Sequence, residues 1–300
     1  MPSDSRLRRA GKEALEKVAL TDPVLYYQTC GDPLHPPVVF LHGFMGDSED
    51  WEAVVSHLSG KYYCVMVDLP GHGRSLGEAD KKEQPGFYSM AGAAEGVLRV
   101  MRHQCLKPAT VVGYSMGGRI ALYLASRHRT ACSRLVIESA TPGIRDREGR
   151  QTRLRLDSAR AQQLQAEGLP DFLRSWYRQP IFETIAESPS RLEAIIRKRS
   201  RNDPSKLAAV LTGMSAGRQK PLWDQLPGLN IPVLLLAGER DAKYVGIARA
   251  MSVSLPRATV GVVPDCGHTI HLEDPGAVAR RIDDFIRQGC MPPRGLGRAT

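Results

Sequence analysis

A serine flanked by glycines is the first feature of this 300-residue sequence that can do chemistry. Ser115 stands in Gly-Tyr-Ser-Met-Gly at 113–117, after an apolar β-rich run and before a helical pattern. Glycines two positions to either side relieve crowding where a chain turns sharply from strand to helix, so the hydroxyl is exposed at the strand end. This context predicts Ser115 as a catalytic nucleophile.

A histidine must take the serine proton near neutral pH. His268 lies in Cys-Gly-His, just after an apolar run, and therefore on a loop at the end of a strand. We predict it as the base. His271 stays open as a second candidate, or as a surface residue beside Glu273. His128 ends the helical pattern that follows the serine and is typical of a solvated helix end.

An acid must orient that histidine, and this kind of site is arranged in the order serine, acid, histidine. Asp241, in Gly-Glu-Arg-Asp, follows the apolar run at 231–237 and is the predicted acid. Asp265 is the alternative that instead shapes a turn, and Asp274, before a proline, fits a helix N-cap. The oxyanion donors predicted for this triad are the backbone N–H groups of Phe44 and Met116.

Strands and helices that alternate along the chain must position these residues. Such alternation predicts an α/β fold with a mostly parallel central sheet and helices on both faces. The predicted strands are 24–28, 37–41, 62–68, 109–113, 133–137, 231–237 and 259–263, and the main helices are 88–104, 116–127, 245–255 and 277–287.

The segment 145–229 breaks this alternation, because it holds only helix-like, arginine-rich stretches separated by prolines. We interpret it as a helical cap inserted into the fold; the alternative is a continued helical wall of the core. The expected division is an α/β core at 21–144 and 230–290, with the cap at 145–229. An N-terminal arm at 1–20 and a tail at 291–300 complete the chain.

Composition limits the remaining possibilities. The net charge of +9 comes without a nucleic-acid-binding motif, and no apolar run approaches the roughly 20 residues that span a bilayer. Six scattered cysteines lack any Cys-x-x-Cys pair, which indicates reduced thiols rather than a zinc site. We therefore expect no metal or organic cofactor, and a cytoplasmic location or, as the alternative, the plastid stroma.

Short strings along the chain resemble the α/β-hydrolase superfamily over roughly residues 24–288. They also resemble one branch of it, the 2-succinyl-6-hydroxy-2,4-cyclohexadiene-1-carboxylate synthases of menaquinone and phylloquinone biosynthesis. The strings are Leu-His-Gly-Phe at 41–44 with Trp51, Leu-Pro-Gly-His-Gly at 69–73, Ser-Met-Gly-Gly-Arg at 115–119, Glu-Ser-Ala-Thr-Pro-Gly at 138–143, Trp-Tyr-Arg-Gln-Pro at 176–180 and Gly-Glu-Arg-Asp at 238–241.

The resemblance implies a lyase that expels pyruvate from a substrate with three carboxylates, with the triad as a base. It implies substrate binding by Arg119, Arg153 and Arg199, with Tyr114 and Trp176 lining the pocket. Guanidinium groups suit such a substrate because they pair with carboxylates bidentately. The simpler interpretation is that cap arginines form a solvated helix face.

Two other functions compete with the lyase. A serine esterase or carbon–carbon hydrolase of the same fold would need an apolar pocket, and a catalytically inactive scaffold would have no need of an ordered triad. The partner expected from the resemblance is a small polycarboxylate, with no nucleic acid and no membrane span. The chain could also be one domain of a larger fused pathway enzyme.

Overall fold

Seven strands form one sheet in the order β1-β3-β2-β4-β5-β6-β7 in the computed structural model, which describes residues 25–75, 86–106 and 108–288. β1 runs antiparallel to β3, and every other neighbouring pair is parallel. The predicted arm at 1–20 and tail at 291–300 lie outside the described residues. The strands are β1 (Tyr27–Cys30), β2 (Pro37–Leu41), β3 (Tyr63–Val67), β4 (Ala109–Tyr114), β5 (Cys132–Glu138), β6 (Val233–Gly238) and β7 (Ala258–Val263).

Helices cover both faces of this sheet, as the sequence predicts. Alternate side chains of β2 point to opposite faces, because successive strand residues do so. Val39 and Leu41 pack into one apolar cluster with α2, α3 and α9, whereas Val38 and Phe40 pack into another with α1 and α11. These core helices are α1 (Glu52–Val55), α2 (Met90–His103), α3 (Met116–Arg127), α9 (Ala242–Ser254), α10 (Ile270–Glu273) and α11 (Pro275–Gln288).

The chain between β5 and β6 forms the inserted helical cap. Its apolar side chains, such as Leu164, Phe172 and Leu207, make a third cluster that also takes in Met45 from the loop after β2. The cap therefore rests directly on the loop that carries Phe44. The cap helices are α4 (Arg147–Glu167), α5 (Leu169–Trp176), α6 (Glu183–Ala186), α7 (Pro189–Arg199) and α8 (Pro204–Gly213).

The largest differences from the predicted boundaries are at the start of the first strand and at the start of the helix after β6. The first strand is displaced from 24–28 to Tyr27–Cys30, because its register is set by pairing with β3 rather than by its own composition. The helix predicted at 245–255 begins at Ala242, since the Asp241 side chain caps it by accepting a hydrogen bond from the backbone N–H of Tyr244 at 3.2 Å. In the described part of the chain, every helix is too short or too polar to cross a bilayer.

Candidate active site

The turn between β4 and α3 holds Ser115 in a strained backbone conformation. Its φ of 48° and ψ of −105° lie in a region that L-residues rarely adopt and that costs of order 1–3 kcal/mol. The neighbouring glycines make this turn possible. A Cβ on Gly117 would lie 2.2 Å from the Leu41 carbonyl oxygen, and one on Gly113 would lie 2.5 Å from that of Gly117. The strained backbone at Ser115 thus places its hydroxyl at the end of the strand.

The structure brings the predicted serine, histidine and acid together. Nδ1 of His268 lies 2.7 Å from Oδ2 of Asp241, and Nε2 of His268 lies 3.4 Å from Oγ of Ser115. The imidazole is 3% exposed, so water hardly competes for these contacts. The contact with Ser115 is longer than a well-formed hydrogen bond, a spacing that catalytic contacts often show before substrate binds.

The alternative site candidates have other contacts. His271 is fully buried rather than at the surface, and its Nδ1 lies 2.7 Å from Oε1 of Glu138. His128 follows the last turn of α3, where its N–H donates to the Leu124 carbonyl. Asp274 accepts a hydrogen bond from the N–H of Ala277 at 2.8 Å, in agreement with an N-cap role.

A cavity of about 340 Å³ lies between Ser115 and the cap. Phe44 and Met116 line it beside Ser115, and no acceptor among the described residues engages either backbone N–H group. Both groups are therefore free to donate to an oxyanion. Trp176 covers the cavity from the cap, with its ring 5.2 Å from that of Phe44.

Arg119 lines the same cavity as a buried cation. It is 8% exposed, and its guanidinium donates to the Met214 carbonyl at 2.5 Å and to Oε1 of Gln219 at 3.2 Å. Among the described residues no carboxyl group pairs with it. Burial, with the charge of Arg153, lowers the pKa of Arg119 to about 10, so it stays protonated at neutral pH. A buried cation with only neutral partners is suited to an anionic ligand.

Arg153 also lines the cavity, but a carboxyl group orients it. Its Nε lies 2.9 Å from both oxygens of Asp157, which also accepts a hydrogen bond from Oγ of Ser215 at 2.6 Å. No described residue bonds the two terminal nitrogens of Arg153, so they remain free for a ligand. Asp157 was not predicted from the sequence, although its i,i+4 spacing from Arg153 is a usable signal. Lys243 and Tyr244, which line the cavity two and three residues after the predicted acid, were not predicted either.

Tyr114 and Arg199 are the two predicted substrate residues that the structure does not bring to the cavity. The Tyr114 ring instead packs behind the site, with ring centroids 5.3 Å from His268 and 4.5 Å from His271. It turns away because successive residues of a strand point to opposite faces and β4 continues through Tyr114.

Arg199 is instead one half of a buried ion pair that joins cap and core. Its two terminal nitrogens lie 2.8 and 2.7 Å from the two oxygens of Asp50, in the 3-10 helix Ser48–Trp51. Burial would raise the pKa of Asp50, but the charge and hydrogen bonds of Arg199, with the charge of Lys198, outweigh it and hold the pKa well below its usual range. Both terminal nitrogens of Arg199 are thus bound by a carboxyl group of the protein.

Replacing Asp50 with Asn should lower the free energy of unfolding by about 3 kcal/mol at pH 7, because Arg199 then stays buried without a full counter-charge. Since the pKa of Asp50 is depressed in the fold, its ionic contribution is complete above the unfolded pKa of about 3.9 and is lost as pH falls below that value. The deficit should therefore shrink in urea titrations below about pH 4.

Asp284→Asn is the matched control, because Asp284 pairs with Arg287 at a similar 2.7 Å but with both side chains more than half exposed. That variant should lose less than about 1 kcal/mol. Equal losses in the two variants would contradict the assignment of Arg199 to a buried cap–core pair.

Known proteins are similar to this chain in sequence. The family described as the alpha/beta hydrolase fold matches residues 36–275. The 2-succinyl-6-hydroxy-2,4-cyclohexadiene-1-carboxylate synthase of Yersinia pseudotuberculosis is 34% identical over 267 residues, which are 88% of this chain and 92% of that protein. Protein PHYLLO, chloroplastic, of Arabidopsis thaliana is 32% identical over 83% of this chain, which spans only 15% of the plant protein's length.

A solved structure is similar over almost its whole length. MenH from S. aureus aligns with a TM-score of 0.82 and 31% sequence identity, covering 87% of this chain and 98% of that one. The similarity includes both core and cap, since the aligned share exceeds what the core alone contributes.

Proposed function

The chain belongs to the alpha/beta hydrolase fold family and, within it, to the 2-succinyl-6-hydroxy-2,4-cyclohexadiene-1-carboxylate synthases, and we propose how its cavity eliminates pyruvate from the substrate of these enzymes. The substrate is 2-succinyl-5-enolpyruvyl-6-hydroxy-3-cyclohexene-1-carboxylate, and pyruvate is the group expelled. One observation carries the proposal: Arg119, a buried cation without a carboxyl partner among the described residues, lines the same cavity as Ser115.

The positions of the double bonds define the reaction. The substrate ring has one double bond, at C3, whereas the product ring has two, at C2 and C4. C2 must therefore lose its proton, and the electron pair of that C–H bond forms the double bond between C2 and C3. The π pair between C3 and C4 moves to C4 and C5, and the bond from C5 to the enolpyruvyl oxygen breaks with its electron pair left on that oxygen. The enolpyruvate that leaves becomes pyruvate by tautomerisation. No bond to the enzyme is formed or broken in this sequence.

The triad supplies the base for the first step. Ser115 takes the C2 proton as its own hydroxyl proton passes to Nε2 of His268, and Asp241 stabilises the resulting imidazolium. C2 is adjacent to the succinyl carbonyl, so negative charge develops on that oxygen. The N–H groups of Phe44 and Met116 are the donors available to it.

The arginines bind the carboxylates and hold the ring over Ser115. Arg119 and the free nitrogens of Arg153 offer two bidentate sites in one cavity of about 340 Å³. Both are positioned before substrate arrives, Arg119 by Gln219 and Arg153 by Asp157. Trp176 gives the ring an aromatic surface to pack against.

Pyruvate release is the decisive experiment. Purified protein given the enolpyruvyl substrate should release one pyruvate per substrate molecule. The pyruvate is measured through the oxidation of NADH by added lactate dehydrogenase. An aryl ester such as p-nitrophenyl acetate should be hydrolysed far more slowly. Rapid ester hydrolysis without pyruvate release would instead identify a serine esterase, and no turnover of either substrate by folded protein would favour an inactive scaffold.

Location and context follow as proposals. We propose a compartment that keeps thiols reduced, the cytoplasm or the plastid stroma. Cys64 and Cys132 support it as free cysteines, and burial raises the pKa of each to about 12, which holds them as unreactive thiols. The match to 15% of the plant protein supports a further proposal, that such a unit also works within a larger fused pathway enzyme.

A further inference from the structure

A second acid–histidine pair lies directly behind the triad. Glu138 ends β5 and His271 lies in α10, and both side chains are completely buried. Oε1 of Glu138 lies 2.7 Å from Nδ1 of His271 and also accepts the backbone N–H of His271 at 3.1 Å. The indole of Trp51 stacks on the His271 ring with centroids 4.5 Å apart. The reaction proposed above gives this pair no role.

Glu138 contacts both halves of the catalytic machinery. Its backbone carbonyl accepts the N–H of Ser115 at 2.9 Å, at the strained turn. Its side chain accepts a hydrogen bond from the backbone N–H of His271, three residues after His268. The ring of Tyr114 packs against both His268 and His271 and so fills the space between the pair and the triad. One residue thus spans the nucleophile turn and the histidine loop.

The loop that carries His268 is held by two carboxyl groups. Glu273 accepts the N–H groups of Gly267 at 2.8 Å and Thr269 at 3.0 Å, on either side of the histidine. Glu138 fixes the same loop farther along, at His271. Of the two, only Glu138 also bonds to the backbone of Ser115. It therefore determines how this loop is placed relative to the nucleophile.

We propose that Glu138 is a positioning residue, which acts through His271 to keep Nε2 of His268 within reach of Oγ of Ser115. The role is geometric and not a proton relay. Oε2 of Glu138 and Nε2 of His271 have no hydrogen-bond partner among the described residues, so no chain of hydrogen bonds leads from this pair to His268. The length of the Glu138 side chain sets the position of the loop that carries His268. A displacement of about 1 Å at a reacting group can lower the rate about 10²-fold.

Two substitutions separate reach from charge. Glu138→Gln keeps the length, and its carbonyl oxygen can still accept both hydrogen bonds from His271. Glu138→Asp keeps the carboxyl group but is one methylene shorter. The readout is the rate at which a fluorophosphonate labels Ser115, followed by intact-protein mass and expressed per folded molecule. We expect the Gln variant to stay within about threefold of wild type and the Asp variant to fall at least about tenfold.

Asp283→Ala is the matched control, because it removes a buried carboxyl group that accepts from the Tyr62 hydroxyl at 2.8 Å without touching the site. It should label at the wild-type rate even where it lowers stability. If Glu138→Asp is too unstable to assay, His271→Gln removes the 2.7 Å contact from the other side and should show the same loss of about tenfold or more.

Two outcomes would overturn the proposal. If folded Glu138→Asp and His271→Gln are labelled at the wild-type rate, the pair only stabilises the fold. If Glu138→Gln is labelled slowly and Glu138→Asp at the wild-type rate, the charge of Glu138 matters and the length of its side chain does not. The inference rests on the proposed triad but not on the proposed substrate, because labelling reports on Ser115 and His268 alone. A protein that labels rapidly yet releases no pyruvate would refute the substrate and leave this test intact.

Discussion

Ser115→Ala should lower kcat for pyruvate release at least about 10³-fold while KM changes less than about threefold. The variant loses Oγ of Ser115, which lies 3.4 Å from Nε2 of His268 and is placed to pass it a proton from substrate carbon. The carboxylate contacts at Arg119 and Arg153 remain, so ground-state binding should persist. Steady-state kinetics with the lactate dehydrogenase couple give both constants.

Ser126→Ala is the control, since its hydroxyl lies on the same helix and donates only to the Tyr123 carbonyl at 2.8 Å. It should be indistinguishable from wild type. A kcat within tenfold of wild type for Ser115→Ala would mean that His268 takes the proton directly or through water. In wild type, intact-protein mass should show no adduct on Ser115 during turnover, because a base forms no covalent bond with substrate; an acyl adduct would contradict this role.

The fold and the triad could be predicted because their signals are local. Helix α3 begins and ends at the predicted Met116 and Arg127, because a glycine-rich turn fixes its start and its apolar spacing fixes its face. Ser115, Asp241 and His268 each follow a short apolar strand. In a parallel sheet the ends of such strands meet at one edge, so three distant residues converge once the strands are recognised.

The contacts that were missed depend on pairings across long separations. Arg199 and Asp50 are 149 residues apart, and nothing near either one specifies the other. From sequence alone Arg199 was one of several cap arginines, so its engagement by a core carboxyl group could not be seen. The same holds for Glu138 and His271, 133 residues apart: His271 pairs with Glu138, whereas it is His268 that contacts Ser115.

The three arginines predicted to bind substrate differ in the groups that balance their charge. Arg199 is neutralised by Asp50 and Arg153 is partly neutralised by Asp157, whereas Arg119 is buried with neutral partners only. A buried cation without a counter-charge lowers the free energy of unfolding, and hydrogen bonds to neutral groups offset only part of that loss. Such a residue is best explained by a ligand that supplies the missing anion.

Arg119→Met should therefore separate activity from stability. We expect kcat/KM for pyruvate release to fall about 10²–10³-fold, because a carboxylate of the substrate would then be bound without its counter-charge. The free energy of unfolding should stay within about 1 kcal/mol of wild type, since relief from burying the charge offsets the hydrogen bonds lost to Met214 and Gln219. Urea titration measures the second quantity on the same preparation.

Arg150→Met is the matched control, because the Arg150 guanidinium also donates to neutral groups, the backbone carbonyls of Ile144 and Arg145, but lies outside the cavity lining. Its kcat/KM should stay near wild type. Arg119→Lys should recover only part of the activity, since an ammonium group keeps the charge but cannot pair bidentately with a carboxylate. A stable Arg119→Met enzyme with wild-type kcat/KM would mean that this guanidinium does not meet the substrate; a large loss of both stability and activity would make Arg119 a structural residue.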